Sequence, residues 1–240
     1  AHDERNIIPC DAALFREFQE AARGLIRFIG VAPETGLDRT LDFIREVKGE
    51  VSVSLAHTNA SYTDAKAAFD AGACHAVHLF NAMPAFTHRE PGVVGAVFDS
   101  KHVFAELICD GVHIHPAMVR AAFAMMGSER ICLISDSMRA AGMPDGSYTL
   151  GGLAVNVSGK YATLAEGGAL AGSVTNLADC MRTAVKEMDI PLEEAIRCAT
   201  LNPARALHLE HRYGSIAPGK AGNLVLLNPD LSLKQVIVNG

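Results

Sequence analysis

Histidines and aspartates recur in this 240-residue chain where apolar runs end. His57 closes VSVSLAH, His78 sits late in HAVHLF, Asp110 and His113 follow AELIC, and Asp136 closes ICLISD. Two neutral imidazoles from adjacent strands, with a carboxylate, are what a divalent cation such as zinc takes while keeping a position open for water. A nearby unligated carboxylate can accept a proton from that water and return it to a leaving amine, and Asp136 suits that post. Any one of these histidines alone reads better as a hydrogen-bonded strand end; their recurrence at strand C-termini shifts the balance toward a metal site. His75 and His78 are three residues apart, so a regular strand would turn them to opposite faces and aim only one into a site. His113 and His115 have the HxH spacing of a ligand pair, against the plainer reading that His115 bounds the helix opened by Pro116. Arg89, in THREPG, offers a bidentate grip for phosphate or carboxylate, or is a solvated loop residue.

The elements that must position these residues follow a β-then-α rhythm. LIRFIGVAP precedes GLDRTLDFIREVKG, VSVSLAH precedes YTDAKAAFDAG, HAVHLF precedes a loop, HVFAELICDG precedes HPAMVRAAFAMMG, and RICLISD follows. Nearly continuous apolar strands alternating with helices imply a parallel sheet covered on both faces. After Asp136 the rhythm breaks into hairpin-like strands over 147–165, helices around 174–188 and 192–207, and short strands again from 208. Five parallel-type strands fall short of the eight of a closed (β/α)8 barrel. A doubly wound open sheet would lack none, but no GxGxxG follows the first strand. The expected organisation is an α/β barrel, incomplete at its N-terminus, over 1–207 with a hairpin insertion near 147–165, then 208–240 as part of a small β-sandwich.

Bulk properties narrow the function classes. The formal charge of −6 and the absence of a dense basic run give no reason to expect nucleic acid or an anionic membrane as partner. No stretch is apolar and long enough to span a bilayer. Six scattered cysteines without CxxC spacing read as reduced core residues of a cytoplasmic protein.

At HTNA, VHLFNAMPAFTHREPG, DGVHIHP, LISDSMRAAG and LAGSVTNL the chain closely resembles the N-acetylglucosamine-6-phosphate deacetylases of the amidohydrolase superfamily. The match runs in order almost end to end; HLFNAMP with REPG is specific to that family, whereas ATLNPARALHL and GSIAPGKAGNLVLL occur in amidohydrolases at large. The resemblance implies a (β/α)8 barrel with a small β-sandwich, a divalent metal (zinc first, with iron, manganese or cobalt as alternatives) and a homodimer. It makes His57 and His78 metal ligands and Asp136 the general acid/base. Asn81, Ala82 and Asp110, Gly111, Val112 and His113 become substrate contacts. Arg89 becomes a phosphate clamp that in such dimers reaches the neighbouring site. Leu170, Ala171 and Gly172 line the sugar pocket, and Ala1 with His2 face the substrate. The family's third ligand, a Glu in an LEGPF-like motif, has no counterpart here, which together with the strand deficit leads to the expectation that an N-terminal portion is absent. The implied reaction is hydrolysis of N-acetylglucosamine 6-phosphate to glucosamine 6-phosphate and acetate. Alternatives at this point are another amidohydrolase acting on a cyclic amide or nucleobase, or a truncated barrel that binds sugar phosphate without turnover.

Overall fold

The computed structural model describes residues 4–240, and the chain divides into two units, Ala1–Glu106 and Leu107–Gly240. In the first, α1 (Ala12–Ala21) precedes β1 (Phe28–Val31), α2 (Leu37–Val47), β2 (Ser52–Leu55), α3 (Tyr62–Ala71), β3 (His75–Ala76), α4 (Gly92–Asp99) and the start of β4 (Phe104–Ile108). β1, β2, β3 and β4 pair in chain order and all in parallel, with Ile29 opposite Val53, Leu55 opposite Ala76 and Ala76 opposite Ala105. Every residue of β2 is buried, as in a parallel strand covered on both faces. Helix starts are set locally: the Asp11 carboxylate accepts from the Ala13 and Leu14 amides, and the Ser61 hydroxyl from the Asp64 amide.

Helix α4, GVVGAVFD, has no polar face, and seven of its eight residues are buried. Its periodicity gives no amphipathic signal, so the loop expected after HAVHLF hides a core helix. Gly95 lets it pack closely: a Cβ there would come within 2.4 Å of the Pro91 ring and 3.5 Å of Tyr62 on α3.

The second unit begins inside β4 and holds α5 (Pro116–Met126) and β5 (Ile131–Ile134), the next strand in the sheet order. Five parallel-type strands are therefore present among the described residues, the number expected from the sequence. β6 (Gly146–Leu150), β7 (Leu153–Ser158) and β8 (Tyr161–Leu164) form an antiparallel sheet over a small core of Met138, Ala140, Val155, Val157, Ala162 and Ala171. Alternate burial along β7 shows one wet and one packed face. Helices α6 (Leu177–Glu187), α7 (Leu192–Ala199) and α8 (Leu201–Ala206) follow, then the antiparallel pair β9 (Leu224–Leu227) and β10 (Leu233–Ile237). Asn202 on α8 is fully buried and its amide donates to the Ser128 and Ile131 carbonyls at 2.6 and 2.7 Å, tying that helix to the entry of β5. No helix among the described residues is long and apolar enough to cross a membrane.

All six cysteines are free thiols; Cys109, Cys132, Cys180 and Cys198 are buried, Cys10 and Cys74 partly so. Burial pushes the Cys180 and Cys198 thiols up to about 12, where thiolate is negligible at neutral pH. A thiol reagent added to the native protein should therefore label Cys10 and Cys74 alone, and the four buried thiols only after denaturant. Rapid native labelling of Cys180 or Cys198 would show that the α6 and α7 core opens.

Candidate metal and acid/base site

In the first unit the backbone leaves the sheet abruptly. β3 stops at Ala76, two residues before His78, and His78, Phe80 and Ala82 all have positive φ (32°, 77° and 49°). The strand-parity argument for His75 and His78 therefore does not apply, because the chain is a tight turn by the time it reaches His78. His57, beyond the end of β2, is likewise left-handed at φ 48°. Such a conformation costs a non-glycine residue about 1–2 kcal/mol and persists only where its surroundings over-determine it.

The turns bring two imidazole nitrogens together. His57 Nε2 lies 3.1 Å from His78 Nε2, with ring centroids 4.6 Å apart and planes near perpendicular at 85°. His78 Nδ1 lies 3.1 Å from the Asn81 carbonyl oxygen. A carbonyl only accepts, so Nδ1 carries the proton and Nε2 presents a lone pair toward His57, the tautomer a metal-binding histidine adopts. Two zinc–nitrogen bonds of about 2.0–2.1 Å at a tetrahedral angle would set the nitrogens roughly 3.3–3.4 Å apart, close to the separation seen. The pair fits as two ligands of one cation. Among the described residues no group of three or more His, Cys, Asp or Glu completes a set.

Two carboxylates that the motif reading did not single out hold these segments. Glu34, in the 3-10 turn after β1, accepts from the Thr58 hydroxyl and the Asn59 amide, both at 2.5 Å, immediately after His57. Glu106, in the middle of β4, accepts from His75 Nε2 at 2.9 Å and from the His78 amide at 3.1 Å. Burial alone would raise the Glu106 carboxyl; the hydrogen bond and charge of His75, helped by His78, outweigh it and hold the group below the usual carboxylate range. The available sequence signal was a single acid in an otherwise apolar strand, FAELI.

The Asn81 side chain is turned back onto the carbonyls of His78 and Leu79 at 3.3 Å. Beyond it Ala82 is exposed, and Arg89 lies in an exposed run from Ala85 to Glu90.

In the second unit Asp110 is 5 % exposed. One of its oxygens accepts the Val112 and His113 amides at 2.8 and 2.9 Å, and the other meets His113 Nδ1 at 2.7 Å. Burial raises this carboxyl, but the His113 and Val112 hydrogen bonds win and the net shift is downward. The bonds fold 110–113 into a turn around Gly111 (φ 79°). His113 and His115 are not a strand-borne ligand pair: His115 is the N-cap of α5, its Nδ1 accepting the Ala117 amide at 3.2 Å. Asp136, just past β5, is left-handed at φ 49°. The Leu170–Ser173 segment secures it: the Ser173 amide donates to the Asp136 carbonyl at 2.9 Å and the Met138 amide to the Ser173 carbonyl at 2.8 Å. Gly172 makes that approach feasible, since a Cβ there would stand 3.3 Å from the Asp136 carbonyl oxygen on a backbone already at φ 68°. The structure thus joins the Leu170, Ala171 and Gly172 loop to Asp136, two features the sequence shows 34 residues apart. Ala1 and His2 lie outside the described residues.

Comparison with known proteins accords with this geometry. The family model described as the amidohydrolase family matches residues 10–240. The N-acetylglucosamine-6-phosphate deacetylase of Bacillus subtilis (strain 168) is 38% identical over 235 residues, covering 98% of this chain and 59% of that protein. The N-acetylgalactosamine-6-phosphate deacetylase of Escherichia coli O157:H7 is 40% identical over 236 residues, covering 95% and 62%. Among solved structures, a point mutant of N-acetyl-D-glucosamine-6-phosphate deacetylase from Mycobacterium smegmatis, in complex with N-acetyl-D-glucosamine-6-phosphate, superposes with a TM-score of 0.93 at 36% identity, over all of this chain and 63% of that one. The chain thus spans about three-fifths of the length of these relatives. A (β/α) strand order, paired imidazoles after one strand and its neighbour, and a family match over almost every residue lead to one conclusion: the chain belongs to the amidohydrolase family.

Proposed function

We propose that this protein removes the acetyl group from an N-acetylhexosamine 6-phosphate, with N-acetylglucosamine 6-phosphate as substrate and glucosamine 6-phosphate and acetate as products. The observation that carries the reading is the His57–His78 nitrogen pair, with the His78 tautomer set for ligation by Asn81, in a chain whose relatives bear that activity in their names. Amidohydrolases are generally metal-dependent. A divalent cation held by His57 and His78, zinc for preference, would supply a Lewis acid and lower the pKa of a nearby water. Asp136 accepts the proton of the water that attacks the acetyl carbonyl, then delivers it to nitrogen as the C–N bond breaks. Asp110 orients His113, and the two are assigned to the sugar together with Gly111, Val112 and the Leu170–Gly172 loop. Asn81 and Ala82 shape the turn beside His78. Arg89, exposed on its loop, is the phosphate ligand, and a homodimer would let it serve the neighbouring site. The six free thiols suit a cytoplasmic setting.

A galactosamine substrate is the second reading, favoured by the 40% identity to the Escherichia coli O157:H7 enzyme. Acetate release measured with zinc-loaded protein on N-acetylglucosamine 6-phosphate, its galactosamine epimer and unphosphorylated N-acetylglucosamine separates the possibilities. Preference for the first supports the proposal, preference for the epimer reassigns the sugar, and no release from any of them removes the catalytic reading. In the same assay Arg89→Ala should raise KM for the phosphorylated substrate by about 10- to 100-fold, the loss of a charge-assisted bidentate contact. An equal effect on the unphosphorylated sugar would dismiss the clamp.

A further inference from the structure

We propose that Glu106 is a positioning residue for His78, acting through the backbone of the turn rather than by touching substrate or cation; this rests on the reading of His57 and His78 as a ligand pair. Glu106 takes hold of two successive amides of that turn: its carboxylate accepts the His78 N–H, and its own carbonyl accepts the Leu79 N–H at 2.8 Å. These bonds fall on the segment where φ is 32° at His78, so they are contacts that can keep a left-handed histidine in place.

His75 fixes the carboxylate from its other side. The ring is 3 % exposed, lies 4.7 Å from the Phe28 ring and stacks on Phe104 at 6.5 Å. A carboxylate only accepts, so His75 Nε2 is the donor, and its buried Nδ1 has no hydrogen-bond partner. A position selected for packing alone would be filled by an apolar ring, without an unpartnered nitrogen. What the imidazole adds is the bond to Glu106. With one oxygen on His75 and the other on the His78 amide, the carboxylate cannot rotate without losing a partner. The chain His75, Glu106, His78 backbone then fixes where His78 Nε2 points.

The test uses Glu106→Leu, similar in volume, which removes both carboxylate acceptors and leaves the His75 and His78 N–H groups facing an apolar side chain. Zinc affinity is measured by competition with a chromophoric chelator, and exchange of the His78 amide hydrogen is followed in metal-free protein, with circular dichroism to confirm the fold. The expected result is zinc binding weaker by about 10- to 100-fold, the usual cost of losing a group that orients a ligand, with faster His78 exchange. A double variant, Glu106→Gln with His75→Phe, offers the His78 N–H an amide oxygen as uncharged acceptor with no imidazole beside it. It should regain most of the affinity and the slow exchange, and it serves as the test if the single variant does not fold. Parent-like affinity and exchange in Glu106→Leu, or a double variant that folds yet stays weak, would overturn the proposal, the latter by showing that charge and not the hydrogen bond matters. If the parent itself binds no zinc, the ligand-pair reading fails, while the exchange measurement still decides whether Glu106 holds the turn.

Discussion

Asp136→Asn should lower kcat for acetate release by about 10²- to 10⁴-fold, the range that a positioned general acid/base contributes, while KM and zinc affinity stay near those of the parent. The substitution is clean because the backbone at Asp136 is held independently of its carboxylate. Its carbonyl takes the Ser173 amide at 2.9 Å, the neighbouring Met138 amide is anchored on Ser173, and the Ser173 hydroxyl donates to the Ser135 carbonyl. An amide in place of the carboxylate keeps the shape and removes the ability to take a proton. Steady-state kinetics on zinc-loaded protein, beside a chelator-competition measurement, provides the check. Turnover within about threefold of the parent would take Asp136 out of the reaction, since a bystander substitution leaves the barrier unchanged.

The second large effect is on stability. Asp110→Asn should destabilise the protein by about 3 kcal/mol at neutral pH, the cost of breaking a buried charge-paired group. The Asp110 and His113 side chains are 3% and 6% exposed, so water cannot replace what is lost. One carboxylate oxygen accepts two amides and the other meets His113 Nδ1; an Asn keeps one acceptor and turns an NH2 group toward a donor. The pH dependence gives a second signature. The folded state lowers the Asp110 pKa, so its contribution is complete above the unfolded value of about 3.9 and is lost as pH falls through the folded value. The thiols beside Asp110, on Cys109 and Cys180, are pushed upward by burial and stay protonated throughout, so they add no pH dependence of their own. Urea midpoints of parent and variant should differ clearly at neutral pH and converge as the pH falls below about 4 and through the folded value. A gap that persists unchanged at acid pH would mean that shape, and not the carboxylate charge, supports the turn.

Much of this organisation was legible in the residues. The alternation of apolar strands and helices, the count of five parallel-type strands, the hairpin segment after Asp136 and the capping position of His115 all follow from local periodicity and from the restricted backbone of proline. What was not legible depended on contacts between distant residues. Helix α4 is apolar on every side, so its period carried no signal until burial explained it. The alternation of faces along HAVHLF could not be carried to His78, because the backbone turns left-handed there and strand parity ends with the strand. Glu106 looks from the sequence like a stray acid in β4; only the fold sets it beside His75 and the His78 amide.

The chain by itself determined which chemistry was on offer: imidazoles and carboxylates at the ends of strands, an arginine on a loop, and the family to which those motifs belong. These are properties of residue type and short spacing, which covalent geometry and local hydrogen bonding translate directly into structure. The tertiary structure alone decided which nitrogens meet at 3.1 Å, which tautomer His78 adopts, and which acids serve as supports. Those outcomes are set by the pairing of strands and the packing of turns far apart in sequence, where a few tenths of an ångström separate a ligand pair from two unrelated side chains.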